Sequence, residues 1–474
     1  MTVTTLILRN RYARAVAWLV VGATFVSGVL GGYHRGTNNQ PDWRDFTKES
    51  RHVWQHLNIP PSTTMFGYLP TTFFCLWPFT QWTPPTFGLI AFIGFNVFAA
   101  LASCYILSRW WFVGGGIDKA LFIWPMFLFI AHIQHVLQAN QLTLWVLLLC
   151  VAGLTLLKHK HDWLGGLTLG LGVCVKVTPA VFLIYLGLRR QWRAVAGMLL
   201  AVVAFDVLPS VIVFGFDGAV REHRMWLKRA DWYSNRRLIE DPYLRIRRHG
   251  NNCAYSLVLA RWLRPSQNAD YQMILHGDPP PETIKKTETE LQENEYLVLD
   301  PKPTPGTDWS RSRSEIPDVP RFRLANLSAQ TVRLIWMLTL AIPIGALCLA
   351  THRQRRVAPG ENGWTAEAAL WMLLMFWPTP MMRDYYLALS LPAYIVVWRT
   401  VILAAEQTGK LRRAGAGIAA IAFFYVSVLA IGWDDAVFYG LHLATLAGLA
   451  GACVWSWRFK NILENPIHPS EPHP

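Results

Sequence analysis

Ten apolar runs of membrane-spanning length recur along the chain, at 15–32, 86–108, 120–137, 141–157, 194–214, 331–350, 366–380, 386–403, 415–432 and 436–457. Crossing the hydrocarbon core takes roughly 20 apolar residues of α-helix, so this series fixes the architecture before any motif is weighed. A further stretch, 163–188, is longer and is interrupted by Lys176 and Pro179. It reads as two short helices in a hairpin, which brings the total to about twelve crossings. Segment 67–81 is apolar but short, and suits a helix lying in the interface or only partly inserted. The expected fold is an all-α, polytopic membrane helix bundle.

Composition agrees. Charged residues make up 16% of the 474, against roughly 25% in soluble domains. Aromatic residues reach 13% and include 23 Trp, as expected where rings sit at membrane interfaces. Disorder, collagen and coiled coil are excluded by the apolar content and the lack of a short repeat. The net charge of +14 would point to nucleic acid in a soluble protein. Here the excess is better explained by cytoplasmic loops, which collect Lys and Arg, and no nucleic-acid partner is expected. The seven Cys form no CxxC pair, so neither a metal site nor a disulfide framework is implied.

Arg9, Arg11 and Arg14 precede the first run, and no small-x-small cleavage site follows it. This reads as an uncleaved first membrane helix with a cytoplasmic N-terminus. Threading from there puts Arg109, Lys119, Lys158, Lys160, Arg189, Arg190, Arg193, Arg353, Arg355, Arg356, Lys410, Arg412, Arg413, Arg458 and Lys460 inside, together with the C-terminus. The short outer turns 138–140 and 433–435 contain no Lys or Arg. The chain divides into an N-terminal membrane module, 1–214, with an outer loop at 33–66; a long extracytoplasmic loop, 215–330; and a C-terminal membrane module, 331–474. The long loop opens with a basic part, 221–264, holding eleven Lys/Arg against four Asp/Glu. An acidic, proline-studded insertion follows at 265–320, with five against eleven. The basic part mixes Trp and Tyr with its arginines and suits an anionic head-group surface.

Polar residues within spans are costly and usually functional. Under this threading they gather at the outer helix ends: Asp42, Asp45 and Glu49 of the first loop; Gln138, Asn140 and Gln141 of a turn; Lys176 and Thr178 at the broken hairpin; Asn251 and Asn252; Arg383, Asp384, Tyr385 and Tyr386; Asp434 and Asp435. Each also has a plain structural reading. Gln138–Gln141 suits a tight polar turn, Lys176 a snorkelling cation, and Arg383–Asp384 an ion pair at a helix start. Asp206 stands apart in mid-span, ahead of Pro209. It suits a cross-helix hydrogen bond or a proton carrier in a transporter. A carboxylate-bearing outer loop facing a cationic, amide-lined ring suits a substrate with a lipid tail, a phosphate and a hydroxyl-rich head.

The order of motifs resembles glycosyltransferase family 87, formerly domain of unknown function 2029, which comprises polyprenyl-phosphate-mannose-dependent mannosyltransferases of the GT-C class. The resemblance is carried by Asp42-Trp43-Arg44-Asp45-Phe46, Tyr68-Leu69-Pro70 and Leu76-Trp77-Pro78. It continues through Gln138-Ala139-Asn140-Gln141-Leu142, Gly165-Gly166-Leu167-Thr168-Leu169-Gly170, Lys176-Val177-Thr178-Pro179, Arg189-Arg190-Gln191-Trp192-Arg193 and Gly250-Asn251-Asn252. The family's paired His in a late segment is absent from Thr379-Pro380-Met381-Met382-Arg383-Asp384-Tyr385-Tyr386.

The resemblance implies a GT-C-like bundle in the plasma or inner membrane. It implies inverting transfer of a sugar, mannose by analogy, from a polyprenyl-phosphate donor to a lipid or glycan acceptor at the outer face. Asp42, with Asp45 as fallback, would be the general base, and Tyr68 and the outer polar ring would bind substrate. No cofactor and no metal are expected, because no nucleotide-binding Gly loop, Asp-x-Asp or His cluster is present. The alternative is a multi-span lipid or sugar transporter or flippase, which should show repeats and discontinuous helices around a mid-membrane site.

Overall fold

The computed structural model of the protein describes residues 10–38, 41–59, 68–82, 84–111, 119–232, 235, 239, 255–263, 324–353, 363–378, 384–408 and 441–458. Asn251, Asn252, Arg383, Asp434 and Asp435, the run 415–432 and the acidic insertion 265–320 lie outside them. Among the described residues there is no strand.

Helix α1 (Arg11–Thr37) starts where the Asn10 side chain accepts hydrogen bonds from the backbone of Tyr12 and Ala13, satisfying donors that a helix start leaves orphaned. The loop 33–66 contains helix α2 (Pro41–His56), and segment 67–81 forms the ten-residue helix α3 (Thr71–Thr80). There follow α4 (Pro85–Arg109), α5 (Lys119–Gln138) and α6 (Thr143–Lys158). The long apolar stretch breaks as its sequence implies, into α7 (Asp162–Val175), a 3-10 turn (Thr178–Ala180) and α8 (Val181–Leu188). Lys176 leaves the helix in an extended conformation, φ −159° and ψ 130°. Pro179 contributes to the break, since it has no N–H to donate to the Val175 carbonyl four residues back.

Helix α9 (Trp192–Val202) passes through a π-helical segment (Val203–Val207) into α10 (Leu208–Trp232). A kink follows at Gly215, whose φ of 71° suits a residue without Cβ. The deviation from α geometry therefore lies at Asp206 and Gly215, on either side of Pro209. The remaining helices are α11 (Tyr255–Leu263), α12 (Ala329–Arg353), α13 (Trp364–Leu374), α14 (Leu391–Thr408) and α15 (Leu441–Arg458), with a 3-10 segment (Asp384–Ser390) ahead of α14.

Among the described residues, four helical stretches are long and apolar enough to cross a membrane: Arg11–Thr37, Pro85–Arg109, Trp192–Leu227 and Ala329–Arg353. Shorter apolar helical stretches among the described residues are Thr143–Lys158, Asp162–Val175, Thr178–Leu188, Tyr386–Val401 and Leu446–Ser456. Every residue of α13 is buried, and α6 is buried on most of its surface. Helices α7 and α9 pack closely, as do α1 and α5. A Cβ on Gly166 would run into the backbone carbonyl of Ala194, and one on Gly32 into that of Leu137. Small residues at such seams let membrane helices approach backbone to backbone.

Arg189, in the turn after α8, is buried. Its guanidinium donates to both carboxylate oxygens of Glu367, from Nε at 3.1 Å and from Nη2 at 2.7 Å, with side chains 1% and 0% exposed. The turn after α8 is thereby fastened to α13, which supplies the carboxylate a buried guanidinium requires.

Candidate functional site

The polar residues converge where α3 meets the break after α7. Tyr68, just ahead of α3, donates its hydroxyl to Gln141 Oε1 at 2.9 Å. The Lys176 ammonium lies over the Tyr386 ring, 3.5 Å from its centroid, and 5.4 Å from that of Tyr68. Lys176 is only 3% exposed, so its ammonium is held inside the protein and does not snorkel to the surface. Cation–π attraction strengthens when the cation is desolvated, which suits a lysine caged by two tyrosines. Tyr68, Gln141, Lys176 and Tyr386 thus come from four separate segments to one place.

Two helix ends build this junction. Carbonyls in the last turn of α7 have no partner within the helix. The Thr72 hydroxyl donates towards two of them, Cys174 at 3.4 Å and Val175 at 3.3 Å. At the start of α3, the N-cap residue Pro70 offers no side-chain cap. The Asp206 carboxylate takes that place: Oδ1 accepts from the Thr71 N–H at 3.2 Å and from the Thr71 hydroxyl. His223 donates Nδ1–H to the Ala219 carbonyl at 2.8 Å, and its Nε2 faces Asp206 Oδ2 at 3.0 Å. Asp206, within the long apolar stretch Trp192–Leu227, thus makes the hydrogen bond to another helix expected of it, next to the break at Lys176.

Helix α2 borders the same place. Trp43, Phe46, Ser50 and Val53 are buried at helical spacing. Phe46 packs edge-on against Tyr68 with centroids 5.8 Å apart, and Trp43 packs against Phe92. The Ser50 hydroxyl donates to the Phe73 carbonyl, and Arg51 Nε to that of Thr80 at 2.7 Å, tying α2 to α3. Asp42 lies in the first turn of α2, four residues ahead of Phe46. Asp45 carries an ion pair with Arg44 at 3.2 Å, and Glu49 is buried. Asp384 and Tyr385 sit in the 3-10 segment with Tyr386.

Two of the expected amides do structural work. Asn140 takes the left-handed φ of 51° that Asn tolerates, and its Nδ2 donates to the Gly32 carbonyl at 2.9 Å. Gln138 lies against Gly31 of α1. Asn140 has the backbone of a tight turn, and Gln141 reaches Tyr68. Sequence reasoning missed Thr71, Thr72 and His223. The only signal for His223 was a His following an in-span Asp, with a Gly between to turn the chain.

No curated protein and no solved structure matches the chain. One family model does match, over a stretch that begins just ahead of Tyr68 and takes in Gln141, Lys176, Asp206 and His223. It supports a membrane glycosyltransferase, in keeping with the apolar helices. Residues 66–249 match glycosyltransferase family 87, the family that the order of motifs resembles.

Proposed function

We propose that the chain transfers a sugar, mannose by family analogy, from a polyprenyl-phosphate donor to a lipid or glycan acceptor at the extracytoplasmic face of the plasma or inner membrane. The observation that carries this reading is the buried Lys176 ammonium between Tyr68 and Tyr386, with Gln141 on Tyr68. A cation that can offset phosphate charge stands beside hydrogen-bonding groups suited to a sugar, next to a short apolar helix that suits the membrane interface. In this reading the chain has a GT-C-like bundle of about twelve crossings with both termini cytoplasmic. The 221–264 segment meets anionic head groups.

The acceptor hydroxyl gives its proton to the Asp42 carboxylate as its oxygen attacks the anomeric carbon. The bond from that carbon to the phosphate oxygen breaks on the opposite face. Polyprenyl phosphate leaves with the electron pair, its charge met by Lys176, by Arg383 or by arginines of the 221–264 segment, and configuration inverts. Asp45 takes the base role if Asp42 does not. No cofactor or metal enters this scheme. The transport alternative rested on Asp206, whose carboxylate is committed to Thr71 and His223.

Proteoliposomes holding wild type or Asp42→Asn, given radiolabelled polyprenyl-phosphate mannose and total membrane lipid, test the proposal. Wild type should yield a labelled lipid product, and the variant should lose on the order of 10²–10⁴ in rate. An unaffected variant would remove Asp42 from the mechanism. Transport of the labelled donor without transfer would remove the reaction.

A further inference from the structure

Asp206 is 3% exposed and makes contacts to two other elements, which is more than a solubilising or incidental carboxylate needs. Its chemistry is constrained by its partners. A carbonyl can only accept, so His223 Nδ1 carries a proton towards Ala219. The remaining proton of the pair then lies on the line between Nε2 and Asp206 Oδ2. Neither ring nitrogen offers a lone pair to an incoming hydroxyl, so the pair is not arranged as a base for substrate. The other carboxylate oxygen is taken by Thr71, through its N–H and its hydroxyl. That N–H belongs to the first turn of α3, where an acidic group satisfies an orphan donor and favours the helix dipole.

We propose that Asp206, oriented by His223, caps α3 in trans and thereby positions Tyr68 and Lys176. The consequence follows from the chain. Thr71 is three residues past Tyr68, and neighbouring Thr72 holds the carbonyls of Cys174 and Val175, immediately ahead of Lys176. One carboxylate therefore fixes both the helix that presents the tyrosine and the helix end that presents the ammonium. The π-helical segment turns Asp206 inward, and the Gly215 kink lets α10 bring His223 to it. This role deepens the donor-phosphate reading of the Tyr68–Lys176 site and rests on it for its effect on catalysis. The cap itself does not.

Asn and Asp are near-equal as helix caps, whereas Ala is not. Asp206→Asn can still accept from Thr71 through Oδ1 and donate to a neutral His223 through Nδ2. It should keep transfer kinetics within about twofold of wild type. Asp206→Ala should raise the donor KM roughly 2- to 30-fold, the range set by losing one cap, while kcat and acceptor KM move far less. A second readout needs no turnover: alkylation of native Cys75, half-buried on α3, followed by peptide mass spectrometry with half-buried Cys104 as control. Asp206→Ala should speed labelling of Cys75 well beyond Asp206→Asn, which removes the same nearby charge but keeps the cap, and both should leave Cys104 unchanged. His223→Ala, which leaves the Thr71 contacts in place, should fall between and serves in place of Asp206→Ala if that variant does not fold. Asp206→Asn as impaired as Asp206→Ala in both readouts would overturn the proposal, because the charge or its proton would then be the essential property. Unchanged Cys75 labelling in both Asp206→Ala and His223→Ala would overturn it as well. Wild type that transfers no sugar would sink the donor-site reading, and Cys75 labelling would still decide the cap.

Discussion

Replacing Lys176 by Met separates a binding cation from a packing one. The two side chains are of similar length, and the lysine stem is buried against protein with its head between two rings. Removing the ammonium forfeits cation–π attraction of about 2 kcal/mol but also removes the desolvation penalty of a buried charge, several kcal/mol in its own right. The two oppose one another, so the fold should change little in stability. A donor phosphate has no such compensation. A hydrogen bond to a charged group contributes about 1.5–3 kcal/mol, so its loss should weaken donor binding roughly 10- to 150-fold at 1.4 kcal/mol per decade. The assay is steady-state transfer in proteoliposomes with donor and acceptor varied in turn, alongside unfolding in mixed detergent micelles. Donor KM should rise within that range, with acceptor KM and the unfolding midpoint close to wild type. A variant that unfolds more than about 2 kcal/mol more easily, outside the near-cancellation argued here, while donor KM stays put would refute the reasoning. The lysine would then be a structural cation.

Two stability predictions follow from the buried contacts. Glu367→Gln or Arg189→Met should each cost about 3–5 kcal/mol of stability, because each leaves its buried partner uncompensated, whereas Arg189→Met with Glu367→Leu should recover most of the loss; a double-mutant cycle in micelles reads the difference. Gly166→Ala drives a Cβ into the Ala194 carbonyl and should cost about 1–3 kcal/mol, read as a lower unfolding midpoint.

Local signals in the sequence were reliable where one residue dictates backbone. Pro179 with Lys176 marked the break in 163–188, and the chain breaks there. The short segment 67–81 read as a separate helix, and α3 is that helix. Gln141, Lys176 and Tyr386 stand out as polar groups at helix ends, and Tyr68 through the family resemblance, and the four meet. What stayed hidden was partnership over distance. Thr71 reaches Asp206 across 135 residues and Arg189 reaches Glu367 across 178. Threonines at a helix start and a glutamate in an apolar run carry no local mark of the partner they will find.

The same limit explains the reading of the spans. Hydropathy measures exclusion from water, and both lipid and protein interior provide it. Helix α13 is apolar on every side because protein surrounds it. Helix α12, with most of its surface open, is apolar to similar effect over twenty-five residues. A run of Leu, Ala and Trp reads alike in the two settings. The charged residue is what tells them apart: Glu367, in the first turn of α13, would be ruinous against lipid and is stable against Arg189. In a chain of this kind a lone acidic residue in a short apolar run is therefore the mark of an interior helix, and the basic residue at a neighbouring helix end is where its partner should be sought.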